Sequence, residues 1–177
     1  MRTISCEEIT AAVKEMCYEA CHYLTPDMKE ALVKARETEE SPVGKQILSQ
    51  LEENLEIAGA DQIPICQDTG MAVLFVKIGQ DVHIEGGLLE DAINKGVSLG
   101  YTEGYLRKSV VKCPIDRVNT KDNTPAVIHY QVVAGDKLHL TLAPKGFGSE
   151  NMSKVFMLKP ADGIEGVALH PVRVNVV

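Results

Sequence analysis

The sequence has no cluster of basic residues. Its 177 residues include 25 Asp or Glu and 18 Lys or Arg, which gives a formal net charge of -7 at pH 7. Proteins that bind nucleic acid gain affinity from clustered Lys and Arg beside the phosphate backbone. The charge pattern therefore argues against a nucleic-acid partner.

Long apolar runs are also missing. The longest, Met71–Val76, is far shorter than the roughly 20 residues that a helix needs to cross a bilayer. The first ten residues, MRTISCEEIT, turn acidic before any apolar run begins, so they lack the basic-then-apolar order of a secretory signal. We therefore expect a cytoplasmic protein without a membrane segment.

No two cysteines have the CxxC spacing. The five cysteines are Cys6, Cys17, Cys21, Cys66 and Cys113, an odd number that argues against a disulfide framework. Cys17 and Cys21 lie four residues apart on the apolar side of a predicted helix, and no His or acid completes a metal site there. We expect these two thiols to pack in the core.

Three helix-start signals fall within the first 61 residues. Ser5 and Glu8 have the spacing of a capping box, and Thr25-Pro26 and Ser41-Pro42 each place a capping residue before a proline. Apolar residues then recur at steps of three and four. These patterns predict three amphipathic helices, the first over residues 6–24.

After Gln62, short β-rich runs replace the helical periodicity. The predicted elements are strands at 71–79, 81–85, 126–133 and 137–143 and a helix at 88–99. The short connection Ala134-Gly135-Asp136 favours a hairpin between the last two strands. We predict one mixed α/β domain of the α+β kind: a helical N-terminal lobe over residues 1–61, then a small sheet with flanking helices over residues 62–177.

Chemically reactive side chains crowd the connection that precedes the first long strand. Cys66, Gln67, Asp68 and Thr69 supply a thiol, an amide, a carboxylate and a hydroxyl in succession. Such crowding at an element boundary is typical of functional sites. A simpler interpretation is that residues 68–70 only form a turn and that Cys66 is a small buried hydrophobic residue.

Two further polar loops flank the last strands. Residues 119–125, NTKDNTP, are rich in hydrogen-bonding side chains, although Asn and Asp turns with a proline also suit a purely architectural loop. Residues 145–151, KGFGSEN, contain glycines whose backbone amides can approach an anion closely. The Walker A pattern is absent, so the loops give no support to a nucleotide site.

Together the motifs ICQDTG, GYLRKSVV, NTKDNTPAVIHY, GDKLHL and KGFGSENMSKVFMLKPADG occur in the order found in the α region of class I fumarases and L(+)-tartrate dehydratases. The chain resembles these iron–sulfur hydro-lyases strongly over about residues 64–167 and more loosely over the N-terminal helices. The motifs are long and uncommon, so the resemblance is specific.

The resemblance implies a [4Fe-4S] cluster that three cysteines hold, with Cys66 as one ligand. It implies that Gln67 and Asp68 contact substrate, with Asp68 as the catalytic residue that orients or relays a proton. Arg107 would grip a substrate carboxylate through its paired donors; without the resemblance it would be a surface arginine at a helix end. A backbone amide near Gly148 would help to hold the anionic substrate.

The resemblance further implies a small C4 dicarboxylate substrate, a β subunit or C-terminal β region as partner, and a homo- or hetero-oligomer. Fumarate/malate, tartrate/oxaloacetate and a methyl-substituted homologue such as mesaconate all stay open. The two other cluster cysteines of relatives follow the PADG segment and have no match here. We therefore expect the chain to be an incomplete α region, inactive alone; the alternative is a noncatalytic fragment that only folds or associates with a full-length relative.

Overall fold

The computed structural model describes residues 1–148 and 155–169. It confirms the mixed α/β fold, and its contacts form two compact units, Met1–Lys145 and Gly146–Val177. The first unit contains β1 (Arg2–Ser5), α1 (Cys6–His22), α2 (Pro26–Thr38), α3 (Pro42–Asp61), β2 (Met71–Gly79), β3 (Val82–Glu85), α4 (Leu89–Glu103), β4 (Val127–Val133) and β5 (Leu138–Lys145). The second contains a 3-10 helix (Pro160–Asp162) and α5 (Gly163–Leu169). The boundary after residue 61 stays a prediction.

The three N-terminal helices begin where their capping signals predict. At α1, Ser5 Oγ accepts a hydrogen bond from the Glu8 amide (3.2 Å), and Glu8 Oε2 accepts one from the Ser5 amide (3.0 Å). At α3, Ser41 Oγ accepts from the Gly44 amide (3.3 Å). These local bonds satisfy amides that the first helical turn leaves without partners. No helix in the described ranges is long and apolar enough to span a membrane.

The three-stranded sheet has the order β4-β2-β5, with β2 parallel to β4 and antiparallel to β5. The predicted hairpin between the last two strands is wrong, because β2 lies between them. β2 takes the central place since Ala72, Leu74 and Val76 are at most 1% exposed. The 134–136 connection passes the end of β2, where a Cβ on Gly79 would come within 2.3 Å of Gly135 O.

A short strand, β1, precedes the first helix and is not predicted from the sequence. It pairs in parallel with β3, with Arg2 opposite Val82 and Ser5 opposite Glu85. Four residues are too few to show a reliable alternation of polar and apolar side chains. The pairing partner, 80 positions along the chain, decides that this segment is a strand.

The helices α1 and α4 run parallel and pack closely at two glycines of α4. A Cβ on Gly96 would lie 2.7 Å from Val13 Cβ, and one on Gly100 would lie 2.7 Å from Cys17 Cβ. Cys17 is fully buried and Cys21 is 6% exposed, which confirms the prediction that both pack in the core. The absence of a side chain at Gly96 and Gly100 is what allows the helices to approach.

Gly96→Ala should lower the free energy of unfolding of the chain by about 1–3 kcal/mol, because the new methyl group overpacks the α1–α4 contact. Helix propensity alone predicts the opposite sign. Gly44→Ala in α3 is the matched control, since its Cβ would meet only the flexible end of the Glu39 side chain. Urea unfolding of the two variants compares them; equal stability of Gly96→Ala and the parent would contradict the packing argument.

Candidate active site

Cys66 lies in the connection between α3 and β2, residues 62–70, which we call the cysteine loop. The Ile65 amide donates to Cys21 O of α1 (2.9 Å), and Asn54 Nδ2 of α3 donates to Ile65 O (3.0 Å). Two helices therefore fix the residue before Cys66. The Cys66 thiol itself is exposed, so packing as a buried hydrophobic residue does not explain it.

The residues after Cys66 turn tightly around its sulfur. The Asp68 amide donates to Cys66 Sγ (3.4 Å), and the thiol donates to Gln67 Oε1 (3.4 Å). The Gly70 amide donates to Asp68 Oδ1 (3.0 Å), and Gly70 has the left-handed φ of 61°. Asp68 thus does form the turn that the simpler interpretation predicts. Its half-buried carboxylate lies two residues from the exposed thiol.

Tyr101 of α4 holds the far end of the cysteine loop. Its side chain is fully buried, and its hydroxyl donates to Thr69 O (2.7 Å). Burial raises the pKa of the Tyr101 hydroxyl far above its ordinary value, and the neighbouring Cys21 thiol adds to the effect. The hydroxyl therefore stays protonated at neutral pH and remains a donor.

Arg107 follows α4 in an irregular segment rather than at a helix end. Thr69 Oγ1 donates to Arg107 O (3.0 Å), so two positions 38 residues apart in sequence have adjoining backbones. The Thr69 side chain is 5% exposed, whereas Arg107 is exposed. The contact brings Arg107 next to the cysteine loop, and the role of its guanidinium stays a prediction.

Asn123, in the loop at residues 119–125, connects the same two segments a second time. Its fully buried side chain accepts from the Ser109 amide (2.7 Å) and the Val110 amide (3.1 Å) through Oδ1, and donates to Gly70 O (3.0 Å) through Nδ2. Nearby, Asn119 Nδ2 donates to Lys108 O (2.8 Å). The polar side chains of this loop support the backbone around the candidate site.

The sequence does not identify the supporting role of three of these residues. Tyr101 has the appearance of an ordinary apolar position in an amphipathic helix, and Thr69 that of a turn residue. Asn123 belongs to a polar loop that an architectural interpretation explains equally well. The sequence signal for the role of Asn123 is the density of Asn, Asp and Thr at residues 119–124, which exceeds what a plain turn needs.

Gly148 belongs to the second compact unit. Residues 149–154, which include the remainder of the KGFGSEN loop, lie outside the described residues. The proposed anion contact of the Gly148 region therefore stays a prediction.

The side chains of the described residues do not form a complete metal site. Within residues 1–148 and 155–169, no three His, Cys, Asp or Glu side chains form a group that could hold a metal ion. Burial raises the pKa of Cys17 to about 12 and that of Cys21 to about 11, so both thiols stay protonated at neutral pH. Cys66 fits as one ligand: its thiol is exposed, and its sulfur accepts the Asp68 amide hydrogen bond that cluster sulfurs commonly accept.

Comparison with known proteins identifies relatives over most of the chain. The sequence profile described as "Fumarate hydratase (Fumerase)" matches residues 10–173. The protein named "Putative L(+)-tartrate dehydratase subunit alpha" of Methanocaldococcus jannaschii is 39% identical over 166 residues, which are 90% of this chain and 58% of that protein. The aerobic class I fumarate hydratase of Escherichia coli K12 is 34% identical over 85% of this chain and 28% of its own length.

The L(+)-tartrate dehydratase subunit alpha of Escherichia coli UTI89 is 30% identical over 145 residues, 80% of this chain and 47% of that subunit. The chain thus spans between about a quarter and three fifths of the length of these three relatives.

Cysteine alkylation should separate the exposed thiol from the core thiols. In the folded chain at pH 8, iodoacetamide should modify Cys66 well before Cys17 and Cys21, which should react only after unfolding in urea, because they are buried and their pKa values are raised. Peptide mass spectrometry over time locates each modification. Labelling of Cys21 as fast as Cys66 in the folded chain would show that the core packing described here is wrong.

Proposed function

The chain belongs to the fumarate hydratase family, and on this premise we propose that it is part of the α region of a hydro-lyase that acts on a small C4 dicarboxylate. The observation that supports this most directly is the 3.0 Å hydrogen bond from Thr69 Oγ1 to Arg107 O. It joins the segment that carries an exposed thiol and a carboxylate to the segment that carries an arginine. A dicarboxylate needs such a combination of anion-binding and proton-transferring groups.

The dehydration direction shows what each residue must do. A proton leaves one carbon of the hydroxy acid, hydroxide leaves the neighbouring carbon, and the released electron pair forms the double bond. Asp68 would orient or relay the proton, with Oδ1 fixed by the Gly70 amide at 3.0 Å. Gln67, exposed beside it, would hydrogen-bond the substrate, and the Gly148 region would supply a backbone amide to its anionic end.

Arg107 would bind one substrate carboxylate. A guanidinium offers two parallel N–H donors that match the two carboxylate oxygens, and it stays charged at every working pH. The hydrogen bond from Thr69 fixes the backbone of Arg107, so its exposed side chain would extend from a fixed position. Fixing the carboxylate there would orient the reacting carbons toward Asp68.

The cofactor belongs to the same proposal. Cys66 would be one of three ligands of a [4Fe-4S] cluster, which when bound supplies a Lewis acid for the departing hydroxide. The two other ligands would be the cysteines that follow the PADG segment in relatives. The Asp68 amide would continue to donate to Cys66 Sγ and so help to orient the ligand.

Partners and substrate follow from the relatives only by analogy. Two of the three relatives described above carry "subunit alpha" in their names, which supports a β subunit or β region as the partner of this chain. Their names divide between tartrate and fumarate chemistry, so both substrate pairs belong to the proposal. A cytoplasmic location and an oligomeric assembly complete it.

Cys66→Ser in the complete enzyme, purified without air, should abolish both the visible absorbance of the cluster and the hydration activity, because a serine hydroxyl is a poor replacement for a thiolate ligand. Cys113→Ser is the matched control and should change neither. Absorbance and a coupled assay with fumarate and tartrate measure the two effects. Full absorbance in Cys66→Ser would refute the ligand assignment, and a complete wild-type protein without activity would favour the noncatalytic alternative.

Arg107→Lys in the same enzyme should lower kcat/KM roughly 10- to 100-fold, because an ammonium group cannot reproduce the paired bonds to a carboxylate. Arg117→Lys makes the same chemical change at an exposed turn and should have no effect. Steady-state kinetics of both variants give the comparison. An unchanged kcat/KM in Arg107→Lys would remove Arg107 from the site.

A further inference from the structure

The buried carboxamide of Asn123 is the main polar link between the cysteine loop and the segment that follows Arg107. Oδ1 accepts from Ser109 N and Val110 N, and Nδ2 donates to Gly70 O. An amide side chain is required for this arrangement, because one end must accept and the other must donate. The three bonds join positions that lie 13, 14 and 53 residues from Asn123 in sequence.

The backbone at Asn123 is adapted to the same task. Its φ of 63° lies in the left-handed region, which Asn adopts more readily than most residues. Lys121, two positions earlier, has a similar φ of 71° but an exposed side chain. The loop therefore contains two left-handed residues, of which one places a fully buried side chain between two other segments.

The Asn123 link acts beside the direct contact between Thr69 and Arg107. Thr69 is joined to Arg107 (3.0 Å), and the next residue, Gly70, is joined through Asn123 to Ser109 and Val110. Two consecutive links fix not only the separation of the two segments but also their relative rotation. Loss of the Asn123 bonds would leave the two segments joined near Thr69, through Arg107 O and Tyr101, and more free to rotate.

We propose that Asn123 is a positioning residue that fixes the loop of Asp68 relative to the segment of Arg107, so that carboxylate and guanidinium meet one dicarboxylate. This inference rests on the proposed function. Asn123 does not itself touch substrate in it; it acts through the two other residues. A displacement of about 1 Å between substrate-binding and proton-transferring groups can cost roughly 100-fold in rate, so a small rotation about the remaining link is sufficient to matter.

Two substitutions separate the bonds that Asn123 Oδ1 accepts from the bond that Nδ2 donates. Asn123→Gly keeps the left-handed backbone and removes all three bonds. Asn123→Asp keeps an acceptor for Ser109 N and Val110 N but has no N–H to donate to Gly70 O. Lys121→Gly is the matched control, because it relaxes the same kind of backbone in the same loop without removing a buried link.

In the complete enzyme, assayed well below the melting temperature of every variant, Asn123→Gly should lower kcat/KM roughly 10- to 100-fold. Asn123→Asp should also lower kcat/KM, because a buried carboxylate oxygen would face Gly70 O in place of the N–H donor, and Lys121→Gly should match the wild type. Combining Asn123→Gly with Arg107→Lys tests the mechanism: if Asn123 acts by placing Arg107, the double variant should lose clearly less than the product of the two single losses. If Asn123→Gly does not fold, Asn123→Asp takes its place in this cycle.

Amide hydrogen exchange in the 177-residue chain gives a readout that does not depend on activity. Exchange at Ser109 and Val110 should quicken in Asn123→Gly and stay near the parent rate in Asn123→Asp. Wild-type kcat/KM in Asn123→Gly, or losses that multiply in the double variant, would overturn the positioning role while leaving the proposed function intact. A complete wild-type enzyme that hydrates no C4 dicarboxylate would overturn both.

Discussion

The close packing of α1 against α4 holds both ends of the candidate site. Cys21, near the end of α1, presents the carbonyl that binds the Ile65 amide, and Tyr101, near the end of α4, presents the hydroxyl that binds Thr69 O. Cys66, Gln67 and Asp68 lie between these two anchors. The small contact surface at Gly96 and Gly100 lets the helices approach, and the helix separation in turn sets the span that the cysteine loop must bridge.

Hydrogen bonds of buried polar side chains, rather than additional apolar contacts, connect the helix core to the surface loops of the candidate site. Tyr101, Thr69 and Asn123 are each at most 5% exposed, and each makes the hydrogen bonds described above. An unmet bond in such a place would cost more than a surface bond contributes, so the bonded geometry is strongly preferred over neighbouring ones. The exposed side chains of the candidate site are therefore attached to a backbone that has little freedom to shift.

The cysteines divide into two environments. Burial in the core keeps the thiols of Cys17 and Cys21 protonated at neutral pH, whereas Cys66 lies at the surface with an amide hydrogen bond to its sulfur. The core thiols fill volume between the helices, whereas the Cys66 thiol is accessible from solvent. Proximity in the fold is therefore a poor guide to shared ligand function, since Cys21 directly supports the residue that precedes Cys66.

The sequence by itself determined the elements whose causes are local. The starts of α1, α2 and α3 follow from capping residues and prolines, and β2 follows from an uninterrupted β-rich run bounded by glycines. The motif around Cys66 likewise marked the candidate site from neighbouring residues alone. These features need information from only a few neighbouring residues.

Only the tertiary structure decided what joins distant segments. The expected hairpin between β4 and β5 does not form, because β2 lies between the two strands. Burial of Leu74 and its apolar neighbours in β2 favours this strand order. The sequence of the connection between β4 and β5 gives no sign of it. The links of Asn123 to Gly70 and of Thr69 to Arg107 are likewise invisible in the sequence. A hydrogen bond from a side chain to a backbone group does not restrict the type of residue that provides the backbone group, since nearly every residue offers the same carbonyl and amide.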